Sequence, residues 1–272
     1  MKYLLRPEGN HSNRLFQLAH IVAYCNEYHQ PLEILCFDDM APLYKDGYYC
    51  IPPKHSIKSA VMTFLDKVQH RTKIGFLPII DFSDEDAIRQ HPLESLPKNC
   101  IIDGWYFRCH NLTKKYRQFL REKYVLKDQY YTSNDLYIYI SNLDSEHYLK
   151  VGVHIRRGDY KDFLDGRYYY ENEVFASYMK QFEKLSDTLG KKVKFFLFSN
   201  EPIHQLFTEK FDSVISNNPW YIDQFLMTQM DYLIGPPSTF TGWASYINEV
   251  PLFFMETADE ELTFDKFRVI DG

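Results

Sequence analysis

The 272-residue chain is as informative for what it lacks as for what it holds. It has no G-x-G-x-x-G and no G-x-x-x-x-G-K-[ST], so P-loop phosphoryl transfer is set aside. No stretch approaches the ~18 apolar residues of a membrane span. The first residues, MKYLLRPEGN, are charged early and show no signal-peptide core. Its 5 cysteines (Cys25, Cys36, Cys50, Cys100 and Cys109) are odd in number, form no C-x-x-C and stop at residue 109. A disulfide framework or zinc site needs tighter, paired spacing, so reduced structural thiols in a cytoplasmic protein are expected. No basic domain stands out: 31 basic residues face 37 acidic ones, giving a net charge of −6, and only Arg156–Arg157 is locally prominent. Nucleic acid is therefore excluded as a partner. Repeats and low-complexity tracts are also missing, and the sequons at Asn10 and Asn111 are read as chance matches.

What is present is a pattern of short apolar runs and helical periodicities. In the first half the expected elements are a strand at 2–5, a helix at 12–29, strands at 32–37 and 100–103, and a helix at 113–123. The stretch 40–98, with Pro52–Pro53, is harder to read. In the second half strands at 150–155, 194–199, 213–215, 232–235 and 252–255 alternate with helices at 171–189, 202–211, 221–230 and 239–248. Alternation at this spacing argues for βαβ units around a mostly parallel sheet. Runs such as FFLFS suit strands covered on both faces. The boundary is expected in the polar stretch near 135–150, dividing the chain into 1–145 and 146–272. Two α/β halves imply a cleft, with ligands held beyond the carboxyl ends of the strands.

Five places at such ends carry chemistry. In VGVHIRRGDY (151–160) a buried strand ends in two arginines, which is costly unless an anion or acid waits there. A guanidinium binds a diphosphate bidentately and keeps its charge. Gly158 allows a sharp turn, and Asp159 could orient an arginine or accept a proton. In IGPPSTFTGWASYI (234–247) Ser238 and Thr239 precede a helix whose free N–H groups suit an anion. FLFSNEP (196–202) ends a strand before a helix. Asp223 lies on a helix eight residues before Asp231. GNHSNRLFQLA (9–19) joins the first strand to a helix through Gly9, which permits close approach to a ligand. Each is also compatible with an ordinary strand end or helix cap. Asp84-Glu85-Asp86 spells a metal-binding Asp-x-Asp, but after Ser83 and before AIRQ it reads as a capped helix start.

Together these segments resemble the α-1,2-fucosyltransferase family, whose wider superfamily includes α-1,6- and protein O-fucosyltransferases. HIRRGDY is similar to the family's first signature, FLFSNEP to the second (commonly FSDD) and STFTGWASYI to the third (commonly STFSWWAA). Asn13, Phe16, Gln17 and Ala19 match its N-terminal GLGNQMFQYA segment. The order agrees from residue 9 to about 248. The resemblance implies a GT-B-like α/β fold of two Rossmann-type domains facing a cleft. Residues 1–145 would form the acceptor side, and 146–272 would hold the GDP-sugar. It implies inverting, metal-independent transfer of L-fucose from GDP-β-L-fucose to a hydroxyl of an acceptor glycan, α-1,2 to galactose, with no cofactor. Arg156 and Asp159 would be catalytic. Asn13, His154, Arg157, Asp223, Ser238, Thr239, Phe240 and Thr241 would bind the GDP-sugar. Asp162 and Asp165 are further candidates for the base. Ser12, Arg14, Asn200–Glu201 and Gly242 depart from the family pattern, which leaves the acceptor and the linkage open. Transfer from another GDP-sugar, or an inactive nucleotide- or glycan-binding module, remains an alternative. The expected partners are GDP-fucose and a glycan, with room for peripheral membrane contact.

Overall fold

A computed structural model describes residues 1–4, 6, 9–50, 60, 61, 64, 65, 67, 68, 75 and 77–272. Leu5 and Pro52–Pro53 lie outside the described residues. The chain divides into two compact units, Met1–Val125 with Asp271–Gly272, and Leu126–Ile270.

The first unit holds the parallel strands β1 (Lys2–Leu4), β2 (Leu32–Ile34), β3 (Ile79–Asp81) and β4 (Cys100–Asp103), in the order β2-β1-β4-β3. Helix α1 (His11–Glu27) is buried almost continuously from Leu15 to Cys25, which explains its weak amphipathic signal. Helix α2 (Ala87–Gln90) has four residues and begins after Asp86, not at Ser83. Ser83 instead donates its hydroxyl to Asp81 (2.6 Å), and Asp84 accepts the Asp86 N–H (2.8 Å). The helix expected at 113–123 is two helices, α3 (His110–Lys115) and α4 (Arg117–Tyr124). They divide at Tyr116, whose hydroxyl donates to Glu27 (3.0 Å). All five cysteines are free.

The second unit holds β5 (Tyr148–Ile155), β6 (Lys192–Ser199), β7 (Ser213–Ile215), β8 (Tyr232–Gly235) and β9 (Leu252–Phe254). All pair in parallel, in the order β7-β6-β5-β8-β9. This is a doubly wound arrangement, in which the direction of winding reverses between β5 and β8. Its helices are α5 (Asp135–Asn142), α6 (Asn172–Asp187), α7 (Leu206–Lys210), α8 (Trp220–Met227) and α9 (Thr239–Asn248). On α6, Phe175, Tyr178, Met179 and Phe182 recur at helical spacing and pack against Val151, Val153, Phe195 and Leu197 of the sheet. At the centre, a Cβ on Gly152 would stand 2.7 Å from the side chain of Leu233, its partner on β8, so the glycine leaves room for that side chain on the face of the sheet.

The boundary expected at 145/146 differs from the division of the compact units at 125/126. Aromatic contacts hold residues 126–145 in the second unit: Tyr131 stacks on Phe225 with ring centroids 4.0 Å apart, and Tyr130 meets Tyr221 at 5.5 Å. Helix α7 starts at Leu206 and not at Pro202, because Ser199 and Asn200 are drawn back onto the end of β5. Among the described residues, no helix is long and apolar enough to cross a membrane.

Candidate active site

The strand order places the ends of β5 and β8 side by side, and each bears one of the expected motifs. Beyond β5 the two arginines part. Arg157 is buried, with its guanidinium turned into the protein onto the Tyr170 carbonyl and Asn172 Oδ1 (2.6 Å). It also lies over the Tyr169 and Phe175 rings. Its donors are engaged in structure, and this separates it from the ligand-facing groups among which it was expected. The Arg157 N–H donates to Asn200 Oδ1 (2.9 Å), and Ser199 donates to the Ile155 carbonyl (2.8 Å). The FLFSNEP segment thus braces the end of β5. Gly158 is left-handed (φ 62°), and a Cβ there would meet Asn200 at 2.8 Å.

Arg156 stays at the mouth of the sheet. Its guanidinium pairs with the exposed Asp159 (2.7 Å) and sits 5.2 Å from the Tyr160 ring centre. Its Nε is buried without a hydrogen-bond partner. Buried donors of this kind are rare and call for an acceptor. Tyr160 is itself buried, and its hydroxyl donates to the Pro237 carbonyl at the end of β8. Tyr160 therefore ties the two strand ends together beneath Arg156. Sequence reasoning gave it no role, although its place in HIRRGDY was the available signal. Asp162 and Asp165 lie farther along, exposed, in a loop where Leu164 and Asp165 are both left-handed.

After β8, Ser238 caps α9 by accepting the Phe240 N–H (3.2 Å). Ser238, Thr239 and Phe240 remain partly accessible, whereas Thr241 is fully buried and donates its hydroxyl to the Ser238 carbonyl (3.2 Å). The cap fixes the first turn of the helix, whose N-terminal end carries the positive end of the helix dipole. His154 is buried with its ring 5.3 Å from that of Phe240, and its Nδ1 has no partner. Burial, and secondarily the charge of Arg156, pull its pKa down to about 3, so the ring is neutral.

Asp223, on α8, is only 6% exposed and accepts a hydrogen bond from the Ser216 hydroxyl. Burial pushes its carboxyl up to about 7, the hydroxyl only partly opposing this. The next residue, Gln224, reaches the Phe240 carbonyl (3.3 Å), so α8 is fastened to the start of α9. Arg156, Asp159, His154 and the Ser238–Phe240 segment are thus gathered at the β5 and β8 ends, with Asp223 on the adjoining crossover. Asn13 belongs to the first unit, in the opening turn of α1, where a Cβ on the left-handed Gly9 would lie 2.1 Å from its amide nitrogen. Beside it, Arg14 pairs with Asp39 (2.8 Å). Asp84 and Asp86 are taken up by local turns, with Asp86 paired to Arg89 (3.0 Å).

No protein-family profile matches the chain, and no curated protein matches it. Solved structures do. The fucosyltransferase NodZ from Bradyrhizobium superimposes with a TM-score of 0.56 at 15% identity, over 93% of this chain and 95% of that one. A mutant of Arabidopsis thaliana FUT1 in complex with GDP gives 0.62 at 10% identity, over 98% of this chain and 73% of that one. NodZ, an α-1,6-fucosyltransferase, soaked with GDP-fucose gives 0.50 at 13% identity. The chain has the GT-B-like α/β fold of these enzymes, with two parallel sheets.

Proposed function

We propose that the protein is a glycosyltransferase that moves L-fucose from GDP-β-L-fucose to a hydroxyl of an acceptor glycan. The observation that carries this reading is Arg156: a cation with a buried, unpartnered Nε, at the reversal point of a doubly wound sheet, lying over the Tyr160 ring that is itself bonded to Pro237 just before the capped helix α9. Such a pairing of guanidinium and helix terminus suits a diphosphate. The likeness to fucosyltransferases, one holding GDP and one soaked with GDP-fucose, favours GDP-fucose as the donor.

In this reading the second unit binds the donor and the first unit, through Asn13 and its neighbours, serves the sugar and acceptor. The phosphates lie against the start of α9, at Ser238, Thr239 and Phe240, where the positive end of the helix dipole favours an anion, with Thr241 holding that turn in shape. Asp223 accepts the two N–H donors on the edge of guanine, which would offset the cost of burying a carboxylate. His154, neutral and packed on Phe240, lines the nucleotide side.

Fucosyl transfer passes through an oxocarbenium-like sugar while negative charge grows on the departing diphosphate. Donors aimed at that charge are the main source of rate. Arg156 supplies them, oriented by Asp159 from one side and by the Tyr160 ring from below. Asp159, held by a guanidinium, is better suited to orientation than to proton removal. Transfer is inverting, needs no bound metal and forms an α-1,2 linkage to galactose, the last resting on the HIRRGDY resemblance. The test is GDP release from GDP-fucose in the presence of EDTA and a galactose-terminated acceptor such as lactose. Release from GDP-fucose with fucosylated product supports the reading, and release from GDP-mannose alone would assign a different donor sugar.

A further inference from the structure

Asp223 stands at the end of a chain of hydrogen bonds whose direction is fixed from its far end. The Tyr137 N–H, in the first turn of α5, donates to Asn134 Oδ1 (3.0 Å). A backbone N–H only donates, so this amide's oxygen is assigned and its nitrogen must point the other way. Asn134 Nδ2 donates to Asn218 Oδ1 (2.7 Å), which in turn orients the second amide. Asn218 Nδ2 then donates to Ser216 Oγ (2.9 Å). With that oxygen accepting, the Ser216 proton is directed onto Asp223 Oδ1. Every rotamer and amide flip in the series follows from one backbone N–H. Successive bonds in such a chain polarise one another in the same sense.

We infer that Ser216, Asn218 and Asn134 form a positioning relay that locks the Asp223 carboxylate as a two-oxygen acceptor and so sets the specificity of the nucleotide site for a purine carrying both a ring N–H and an exocyclic amine. The inference rests on the nucleotide reading given above and adds the residues that make it selective. Without the relay the carboxyl group is free to rotate or to turn a proton toward the ligand. With it, Oδ1 is held by an incoming donor and still has a lone pair for one ligand N–H, while Oδ2 is left for the other. The relay also reaches solvent: Asn134 and Asn218, with Asn217, Tyr139 and Ile215, line an open cavity of about 480 Å³ beside β7. The amides are therefore open to substitution without disturbing the apolar core.

Inosine diphosphate, which lacks the 2-amino group of GDP, is the discriminating probe. The parent protein is expected to bind GDP about tenfold or more tightly than IDP by calorimetry, the amine being paired to a charged oxygen. Ser216→Ala removes the donor and brings the two affinities within about twofold of each other, mainly by weakening GDP. Ser216→Thr keeps a hydroxyl and keeps the preference. Asn218→Asp offers only acceptors, draws the Ser216 proton away from Asp223 and collapses the ratio as Ser216→Ala does. A preference retained in both Ser216→Ala and Asn218→Asp overturns the relay while leaving the GDP site standing. A parent that binds GDP and UDP alike overturns the nucleotide reading and the relay with it.

Discussion

The two units solve the same topological problem with opposite electrostatic results. In each, a parallel sheet reverses its winding beside its first strand, between β1 and β4 in one and between β5 and β8 in the other. In each, an arginine follows that strand. Arg6 is closed off by Asp103, a carboxylate on the neighbouring strand that is itself only 7% exposed. Arg156 is met by Asp159, three residues along its own chain and exposed, and keeps a buried Nε without a partner. An arginine answered across the sheet is structural. One answered only from the solvent side is left with charge to offer. The same contrast recurs between consecutive residues, since Arg157 is engaged by Tyr170 and Asn172. Anion chemistry is thus expected at one strand end of the second unit, and at one of its two adjacent arginines.

The largest effect that would break this comparison is on turnover. Arg156→Lys keeps the charge and loses the planar fork, at a contact that strengthens as the glycosidic bond breaks. The expected loss is about a hundred- to a thousandfold in kcat with GDP affinity little changed. Arg6→Lys, at the neutralised end of the first unit, changes kcat within about threefold. Steady-state kinetics beside GDP calorimetry on both variants check this, and equal losses would dissolve the contrast.

Next in size is Asp223→Asn, which weakens GDP binding about tenfold or more. The same substitution has an opposite effect on the empty protein. The folded-state pKa of about 7 lies above the unfolded value near 3.8, so the folded chain binds the extra proton between them. Stability from this group is therefore full below pH 3.8 and declines as pH rises toward 7. Asn removes that decline. The variant is expected to melt higher than the parent at about pH 8 without nucleotide, and the gap narrows as the pH falls to about 4. A gap that widens on acidification contradicts the burial account.

Arg157→Lys sharpens the comparison through stability. It breaks the hydrogen bonds to Tyr170 and Asn172 and costs about 1–3 kcal/mol, visible as a lower Tm, with a smaller effect on kcat than Arg156→Lys. The smallest expected change is none: on the proposal that Arg156 and the start of α9 carry the diphosphate charge, EDTA leaves transfer intact. Loss of activity with EDTA and its return with Mn²⁺ would turn attention to Asp84 and Asp86.

Much of the second unit could be read from its residues. FFLFS is apolar on both faces because helices cover both, and the strand at 192–199 is where that pattern ends. The pairing of β5 with β8 could not be read, since nothing local fixes which strand lies beside which. That long-range fact is what makes two unremarkable motifs, RRGD and PPST, one place. The stretch near 135–150 reads as a polar connection because the partners of its aromatics, Phe225 for Tyr137 and Phe196 for Tyr139, are about 55 to 90 residues away. Asp223 was legible only through the family resemblance. Its burial, and the Ser216–Asn218–Asn134 relay behind it, depend on side chains from three elements meeting in space. Ser216, a lone hydroxyl just beyond a short strand, carried no signal of its own.

The central claim, that the ends of β5 and β8 with Asp223 form a guanosine-diphosphate site, is tested most directly by calorimetric titration of the unmodified protein with GDP and with UDP. The two share the diphosphate that Arg156 and α9 address, and differ in the base that Asp223 addresses. The account predicts saturable binding of GDP and binding of UDP at least about tenfold weaker, a difference of one charged hydrogen-bond pair. Equal affinities, or no binding of either, would contradict it.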